Sequence, residues 1–71
     1  MNMEGRIARL RALLTKKIVD AVLITKEENV HYFSGFRGDS TALLVTHERL
    51  LLVTDSRYTE QAAAEAPLYE V

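Results

Sequence analysis

The sequence predicts a small α/β domain in which helices flank a mixed β-sheet. Apolar residues near the amino terminus recur at helical spacing, three short β-rich runs follow, and an alanine-rich helical stretch lies near the carboxyl terminus. A chain of 71 residues buries only about 60% of the surface that its unfolded form exposes, so its core must be small. The last β-rich segment has little room to develop. We therefore expect residues 1–71 to form one partial domain whose sheet is truncated.

The first helix is predicted from an apolar stripe at spacings of three and four residues, formed by Met3, Ile7, Leu10, Leu14 and Ile18. It should end near residues 16–18. The next run, residues 21–25, has no polar alternation, which is typical of a strand covered on both faces. We therefore expect a central strand with Leu23 and Ile24 in the core.

The second helix is predicted from a capping box, in which Thr25 is followed three positions later by a glutamate. This helix should cover residues 26–33, and Gly35 should end it. Residues 41–46 and 50–54 are both rich in β-branched and apolar side chains. Because only three residues separate them, they should pair as an antiparallel hairpin.

The third helix follows two residues, Asp55 and Ser56, that are both common helix caps. Residues 57–66 have a high alanine content, which favours the helix, and Pro67 should stop it. Residues 68–71 are then predicted to begin a further strand.

Composition argues against several function classes. The formal net charge is −1, which disfavours nucleic-acid binding through bulk positive charge, although residues 1–17 carry five basic side chains against one glutamate. The chain has no cysteine, which excludes disulfides, thiol nucleophiles and cysteine-ligated metals. No apolar run approaches the roughly 18 residues of a membrane span, and the amino terminus is charged. We expect a cytoplasmic chain without nucleic-acid or membrane partners.

The chemistry-bearing side chains do not form a recognisable catalytic pattern. The two histidines and the aspartates lack the spacing of metal ligands, and no serine lies in a Gly-x-Ser-x-Gly turn. We therefore predict no catalytic residue and no metal ligand in this chain.

The most informative loop is residues 35–40, where two glycines bracket an aromatic and a cationic side chain. Phe36, Arg37, Asp39 and Ser40 are the candidate contact residues of this loop. Composition alone fits both a plain surface turn and a ligand-facing loop, and it favours the turn.

A second candidate group lies where the hairpin leads into the third helix. Asp55 can cap this helix, while Arg57 and Tyr58 lie in its first turn. A cation at the positive end of a helix is unfavourable unless an acid compensates it. Asp55 could supply that acid, and an interdomain salt bridge is the alternative.

Three motifs in order resemble a known family: DAVLIT at residues 20–25, ENVHYFSGF at 28–36 and TDSRYTEQA at 54–62. They are similar to the amino-terminal domain of the creatinase, prolidase and aminopeptidase P family, the pita-bread metallopeptidases. Bacterial Xaa-Pro dipeptidases show the greatest likeness. The resemblance covers nearly the whole chain and implies a ribonuclease-H-like topology.

The resemblance also implies a function for the parent protein. This domain would be noncatalytic and would precede a carboxyl-terminal hydrolase domain that binds two divalent metals, of the manganese or cobalt type, and cleaves peptide bonds involving proline. The expected partners are that catalytic domain, a second subunit in a homodimer and proline-containing peptides. In some members the loop that matches residues 36–40 reaches over the neighbouring subunit's active site. Arg37 could then pair with a substrate carboxylate, and Phe36 could cover a proline ring.

Two other functions stay open under the same resemblance. One is a metal-free binding module of the same fold. The other is the amino-terminal domain of a creatine-type amidinohydrolase, which cleaves a guanidino carbon–nitrogen bond without metal. The resemblance does not separate dipeptidases from aminopeptidases.

Overall fold

Three antiparallel strands form a sheet, and helices pack against one of its faces. The computed structural model describes residues 2–38 and 40–71. Its elements in chain order are helix α1 (Met3–Lys17), strand β1 (Ala21–Ile24), helix α2 (Glu27–Ser34), strands β2 (Ala42–Thr46) and β3 (Leu50–Val53), a 3-10 turn (Ser56–Tyr58) and helix α3 (Thr59–Glu65). The α/β class predicted from the sequence is confirmed.

The strand order is β1-β2-β3, so β2 lies at the centre of the sheet. Among the described residues the central strand is β2 and not the predicted strand of residues 21–25, because β1 pairs there along one edge only. Leu23 is also 64% exposed, which contradicts its predicted place in the core. The run is apolar on both faces, but within the described residues only the face bearing Ile24 is buried.

A parallel bridge between Leu51 and Glu70 makes the sheet mixed. The Leu52 amide donates to the Glu70 carbonyl at 2.7 Å, and the Glu70 amide donates to the Leu50 carbonyl at 2.8 Å. The Arg49 guanidinium also lies 2.7 Å from the Glu70 carboxylate, and this hydrogen bond and charge raise the pKa of Arg49. The predicted last strand is thus reduced to one bridge beside β3.

The helix ends differ from the predictions in detail. Asn2 caps α1, since its side-chain oxygen accepts the Gly5 amide hydrogen at 2.8 Å. Ile18 takes a left-handed conformation with φ of 54° and ends α1, so its side chain leaves the apolar stripe and is 92% exposed. Lys26, not Thr25, lies at the cap position of α2, and no side chain caps this helix. Left-handed Gly35 ends α2 as predicted.

The hydrophobic core lies between the helices and one face of the sheet. It is built, within the described part of the chain, from Ile7, Ile24, Val30, Phe36, Leu43, Val45, Leu52, Ala62, Ala66 and Tyr69. The Arg11 side chain ties α1 to the hairpin: its Nε donates to the Thr46 carbonyl at 2.8 Å. On the opposite face, a row of paired residues runs through Leu23, Leu44 and Leu51.

The buried Tyr69 should make the free energy of unfolding change with pH in the alkaline range. Its hydroxyl donates to the Phe33 carbonyl at 2.6 Å, and burial raises its pKa to about 12. The neutral phenol is therefore favoured in the folded state. Its contribution should be complete below the unfolded pKa of about 10 and should be lost as pH rises towards 12, and solvent screening should keep this loss to about 1–2 kcal/mol.

Chemical denaturation at a series of alkaline pH values measures this loss. Tyr69→Phe should flatten the decline of the unfolding free energy between about pH 9 and pH 12. The matched variant Tyr32→Phe changes an exposed tyrosine and should leave the decline in place. Identical slopes for the parent chain and Tyr69→Phe would contradict the assignment.

Candidate functional site

The loop that follows α2 is held by hydrogen bonds at its start. Gly35 has φ of 85°, and its amide donates to the His31 carbonyl at 2.8 Å. The buried Ser34 hydroxyl donates to the Val30 carbonyl at 2.6 Å and accepts the Phe36 amide hydrogen at 3.1 Å. These contacts turn the chain sharply and direct the Phe36 side chain into the core.

Phe36 is 1% exposed and anchors the loop. Its ring packs edge-on against Tyr58, with ring centroids 6.1 Å apart. Gly38 closes over the same ring, since a Cβ atom at this position would overlap Cζ of Phe36. The Phe36 ring therefore packs in the core of this structure, and it also borders the cleft beside the loop.

Among the described residues of the loop, Arg37 and Ser40 are exposed. The Arg37 amide donates to a carboxylate oxygen of Glu65 at 3.1 Å, and the second oxygen of Glu65 accepts a hydrogen bond from Gln61 at 3.1 Å. The backbone at Arg37 is thus fixed to α3. Ser40 has φ of 51°, in the left-handed region, and Asp39 lies outside the described residues.

Arg37 borders a shallow cleft of about 330 Å³ between the loop and α2. Glu27, Glu28 and His31 of α2 line the other side. This wall carries two carboxylates and an imidazole, whereas the loop contributes the Arg37 guanidinium. The cleft therefore presents charges of both signs. No local sequence pattern indicates this cleft, because its lining residues come from two segments of the chain.

The second candidate group forms a compact cluster at the start of α3. An Asp55 carboxylate oxygen accepts the Arg57 amide hydrogen at 3.1 Å, and the other lies 3.6 Å from Arg57 Nε. The Arg57 guanidinium lies 5.0 Å from the centre of the Tyr58 ring. Asp55 thus offsets the charge of Arg57 within this chain. The Arg57 side chain stays exposed.

The two candidate groups meet through Phe36 and Tyr58, whose rings are in contact. The arginines belong to different contacts, with Arg37 bound to Glu65 through its backbone and Arg57 paired with Asp55. Sequence reasoning missed Ser34 and Glu65, which hold the loop. The serine directly before the helix-ending glycine was the available signal, whereas nothing local to Glu65 points to the loop.

Within residues 2–38 and 40–71, no three histidine or acidic side chains converge to hold a metal ion. The residues described here therefore do not fit a two-metal hydrolytic centre. The same part of the chain contains no helix long and apolar enough to cross a membrane.

Comparisons with known proteins give consistent matches over almost the whole chain. The profile of the family described as creatinase/prolidase N-terminal domain matches residues 6–71. An uncharacterized peptidase of Bacillus subtilis, YqhT, is 33% identical over 66 residues, which cover 93% of this chain and 19% of that protein.

Solved structures show the same similarity in three dimensions. The Xaa-Pro dipeptidase from Bacillus anthracis superposes with a TM-score of 0.91 at 35% identity, over 97% of this chain and 19% of that one. The N-terminal domain of the cytoplasmic peptidase PepQ from Mycobacterium tuberculosis superposes with a TM-score of 0.89 at 46% identity, over 94% of this chain and 53% of that one. The chain thus spans about a fifth of the whole peptidases and about half of a separately solved domain.

Proposed function

Because the chain belongs to the creatinase/prolidase N-terminal domain family, we propose that it is the noncatalytic amino-terminal domain of a metal-dependent Xaa-Pro peptidase. The observation that carries this proposal is the match of nearly the entire chain to 19% of a protein described as an Xaa-Pro dipeptidase, together with the match of residues 6–71 to an N-terminal domain profile. Catalysis is assigned to a second domain. We assign the two metals of the manganese or cobalt type to that domain as well.

The sequence encoded beyond Val71 provides the direct test. A downstream set of two aspartates, a histidine and two glutamates would support the peptidase, and a domain without that set would support the metal-free binding module. An assay of the longer protein with a Xaa-Pro dipeptide and with creatine separates the peptidase from the amidinohydrolase. The 71-residue chain, assayed alone with manganese, should show no turnover. Chelator-sensitive turnover that purifies with this chain would overturn the assignment.

Within this function we assign substrate access to the loop of residues 36–40, acting across the subunits of a homodimer. Three features support this assignment: the Arg37 backbone is fixed by Glu65, its side chain is exposed, and the cleft beside it carries acids. A fixed backbone lowers the entropy cost of presenting the guanidinium to a carboxylate. In this assignment the buried Phe36 ring anchors the loop to the core and makes no substrate contact.

Arg37→Ala in the full-length dimer should lower kcat/KM for Xaa-Pro substrates by about 10-fold to 100-fold, the value of one charge-assisted hydrogen bond. The unfolding midpoint should not change, because the side chain is exposed. Arg9→Ala removes another exposed arginine, which lies in α1 and outside the loop, and it serves as the control.

Mixed dimers test whether the loop acts across subunits. One subunit carries Arg37→Ala with intact metal ligands, and the other carries intact Arg37 with a metal-ligand substitution. If Arg37 acts in trans, the intact metal site faces the intact arginine and activity per site is restored. If both substitutions are in one subunit, the remaining metal site faces the altered loop and stays impaired. The opposite pattern would show action in cis, and unchanged kcat/KM would exclude a role for Arg37.

A further inference from the structure

The carboxyl end of α2 is held by side chains from distant parts of the chain. The last carbonyl groups of a helix have no hydrogen-bond partner within the helix itself. Here the Arg6 guanidinium donates to the Tyr32 carbonyl at 3.0 Å, and the Tyr69 hydroxyl donates to the Phe33 carbonyl. Arg6 lies in α1 and Tyr69 follows α3, so the point at which α2 ends is fixed from both sides of the sequence.

Arg6 makes a second contact with the same residue of α2. Its guanidinium lies 4.5 Å from the centre of the Tyr32 ring, which is a cation–π distance. A positive charge at the carboxyl end of a helix also interacts favourably with the helix dipole. Arg6 therefore holds both the backbone and the side chain of Tyr32, just before the chain turns at Gly35.

Gly35 lies in a narrow space between α1 and α3. Its φ of 85° is in the left-handed region that favours glycine. A Cβ atom at this position would lie 3.0 Å from the Glu65 carbonyl oxygen and 3.7 Å from Cε of Met3. The turn of residues 35–38 is therefore packed between two helices at its start.

Glu65 holds the chain on the other side of Gly35. One oxygen of its carboxylate accepts the Arg37 amide hydrogen at 3.1 Å, and Gln61, one turn earlier in α3, donates to the other at 3.1 Å. Gln61 thus fixes the orientation of the carboxylate. Among residues 2–38 and 40–71, no acidic side chain forms an ion pair with the Arg37 guanidinium. Glu65 therefore binds the backbone of Arg37 and leaves its charged group to the cleft.

We propose that Arg6 and Glu65 are positioning residues for Arg37. They hold the turn of residues 35–38 on its two sides, so that the guanidinium leaves the backbone at a fixed point beside the cleft. Neither residue contacts substrate, and both act through Arg37. A backbone that is already held has less conformational entropy to lose when the guanidinium pairs with a carboxylate. This inference rests on the proposed substrate-access function of the loop and adds two residues outside the loop on which Arg37 depends.

Steady-state kinetics of the full-length dimer with Xaa-Pro substrates test the proposal. Glu65→Ala and Arg6→Ala should each lower kcat/KM by about threefold to tenfold, the value of one hydrogen bond. Glu65→Gln keeps an oxygen that can accept the Arg37 amide hydrogen, and Arg6→Lys keeps a charged donor, so both should restore most of the lost activity. Glu60→Ala and Arg9→Ala remove the same groups from exposed positions elsewhere on α3 and α1, and these controls should have no effect.

A double-mutant cycle separates positioning from a general loss of structure. When Arg37 is already replaced by alanine, Glu65→Ala and Arg6→Ala should cause no further loss, because both act through its guanidinium. Full additivity would overturn the proposal, since the two residues would then act independently of Arg37. A loss caused by Arg37→Ala but by neither Glu65→Ala nor Arg6→Ala would overturn this inference alone. No loss from Arg37→Ala would overturn the substrate-access function and the inference with it.

NMR of the 71-residue chain gives a readout that does not depend on activity. The Arg37 amide proton should move upfield in Glu65→Ala, because it loses its hydrogen bond, and it should stay near its parent position in Glu65→Gln and Glu60→Ala. The Tyr32 carbonyl carbon should move upfield in Arg6→Ala and less in Arg6→Lys. Circular dichroism confirms that each variant is folded. An unchanged Arg37 amide signal in Glu65→Ala would overturn the proposal whatever the peptidase assay shows.

Discussion

Replacing Phe36 with alanine is expected to lower the unfolding free energy by about 3–5 kcal/mol. The ring is 1% exposed, packs against Tyr58 and lies directly beneath Gly38. Its removal leaves a cavity beside the Gly38 backbone and the Tyr58 ring, and the glycine has no side chain that can fill the space. For a domain of this size the loss approaches the total stability that small proteins have.

Urea denaturation followed by circular dichroism measures this effect. Phe36→Leu should cost less, because a leucine retains part of the buried volume. Arg37→Ala, at the adjacent exposed position, should leave the midpoint unchanged. A similar denaturation midpoint for Phe36→Ala and for the parent chain would show that the ring faces solvent. Phe36 would then again be a candidate for contact with substrate.

Leu43→Ala should cost about 2–5 kcal/mol, whereas Leu23→Ala should cost under about 1 kcal/mol. The two substitutions delete the same atoms from neighbouring strands of one sheet. Leu43 is 0% exposed on central β2, and Leu23 is 64% exposed on edge strand β1. The difference between the two values therefore isolates burial from the chemistry of the side chain.

The comparison requires that the chain is monomeric, so sedimentation accompanies each denaturation series. Equal costs in a monomer would show that Leu23 is buried and that the strand order is wrong. A large cost for Leu23→Ala together with association would instead show that the face bearing Leu23 is covered by another molecule.

Much of the fold could be predicted because its determinants are local. The apolar spacing in α1, the glycine after α2 and the short link between β2 and β3 each act over a few residues. The place of β1 could not be predicted in this way. An apolar run without alternation signals burial on two faces only if another layer covers the second face, and Leu23 shows that the described residues do not supply one.

The loop of residues 36–40 could be identified from the sequence, but its orientation could not. Phe36 reads as a possible ligand contact until Tyr58, some twenty residues later, is placed against its ring. Arg37 is fixed by Glu65, which belongs to another helix. A glycine between polar residues suggests flexibility, and yet Gly38 is required for close packing against an aromatic ring. These contacts arise only when distant segments are brought together.

The strand order also bears on how rapidly the chain folds. Each strand pairs with its neighbour in the sequence, and the connection between β2 and β3 is the tight turn of residues 47–49. Short closures of this kind cost little chain entropy and form early, which places such topologies among the faster α/β folders. The Arg11 contact with Thr46 spans 35 residues, so it closes a much longer loop than the hairpin turn, and we expect it to form after the hairpin. The rate at which α1 docks would then determine how long the face of the sheet beneath it remains exposed to other nascent chains.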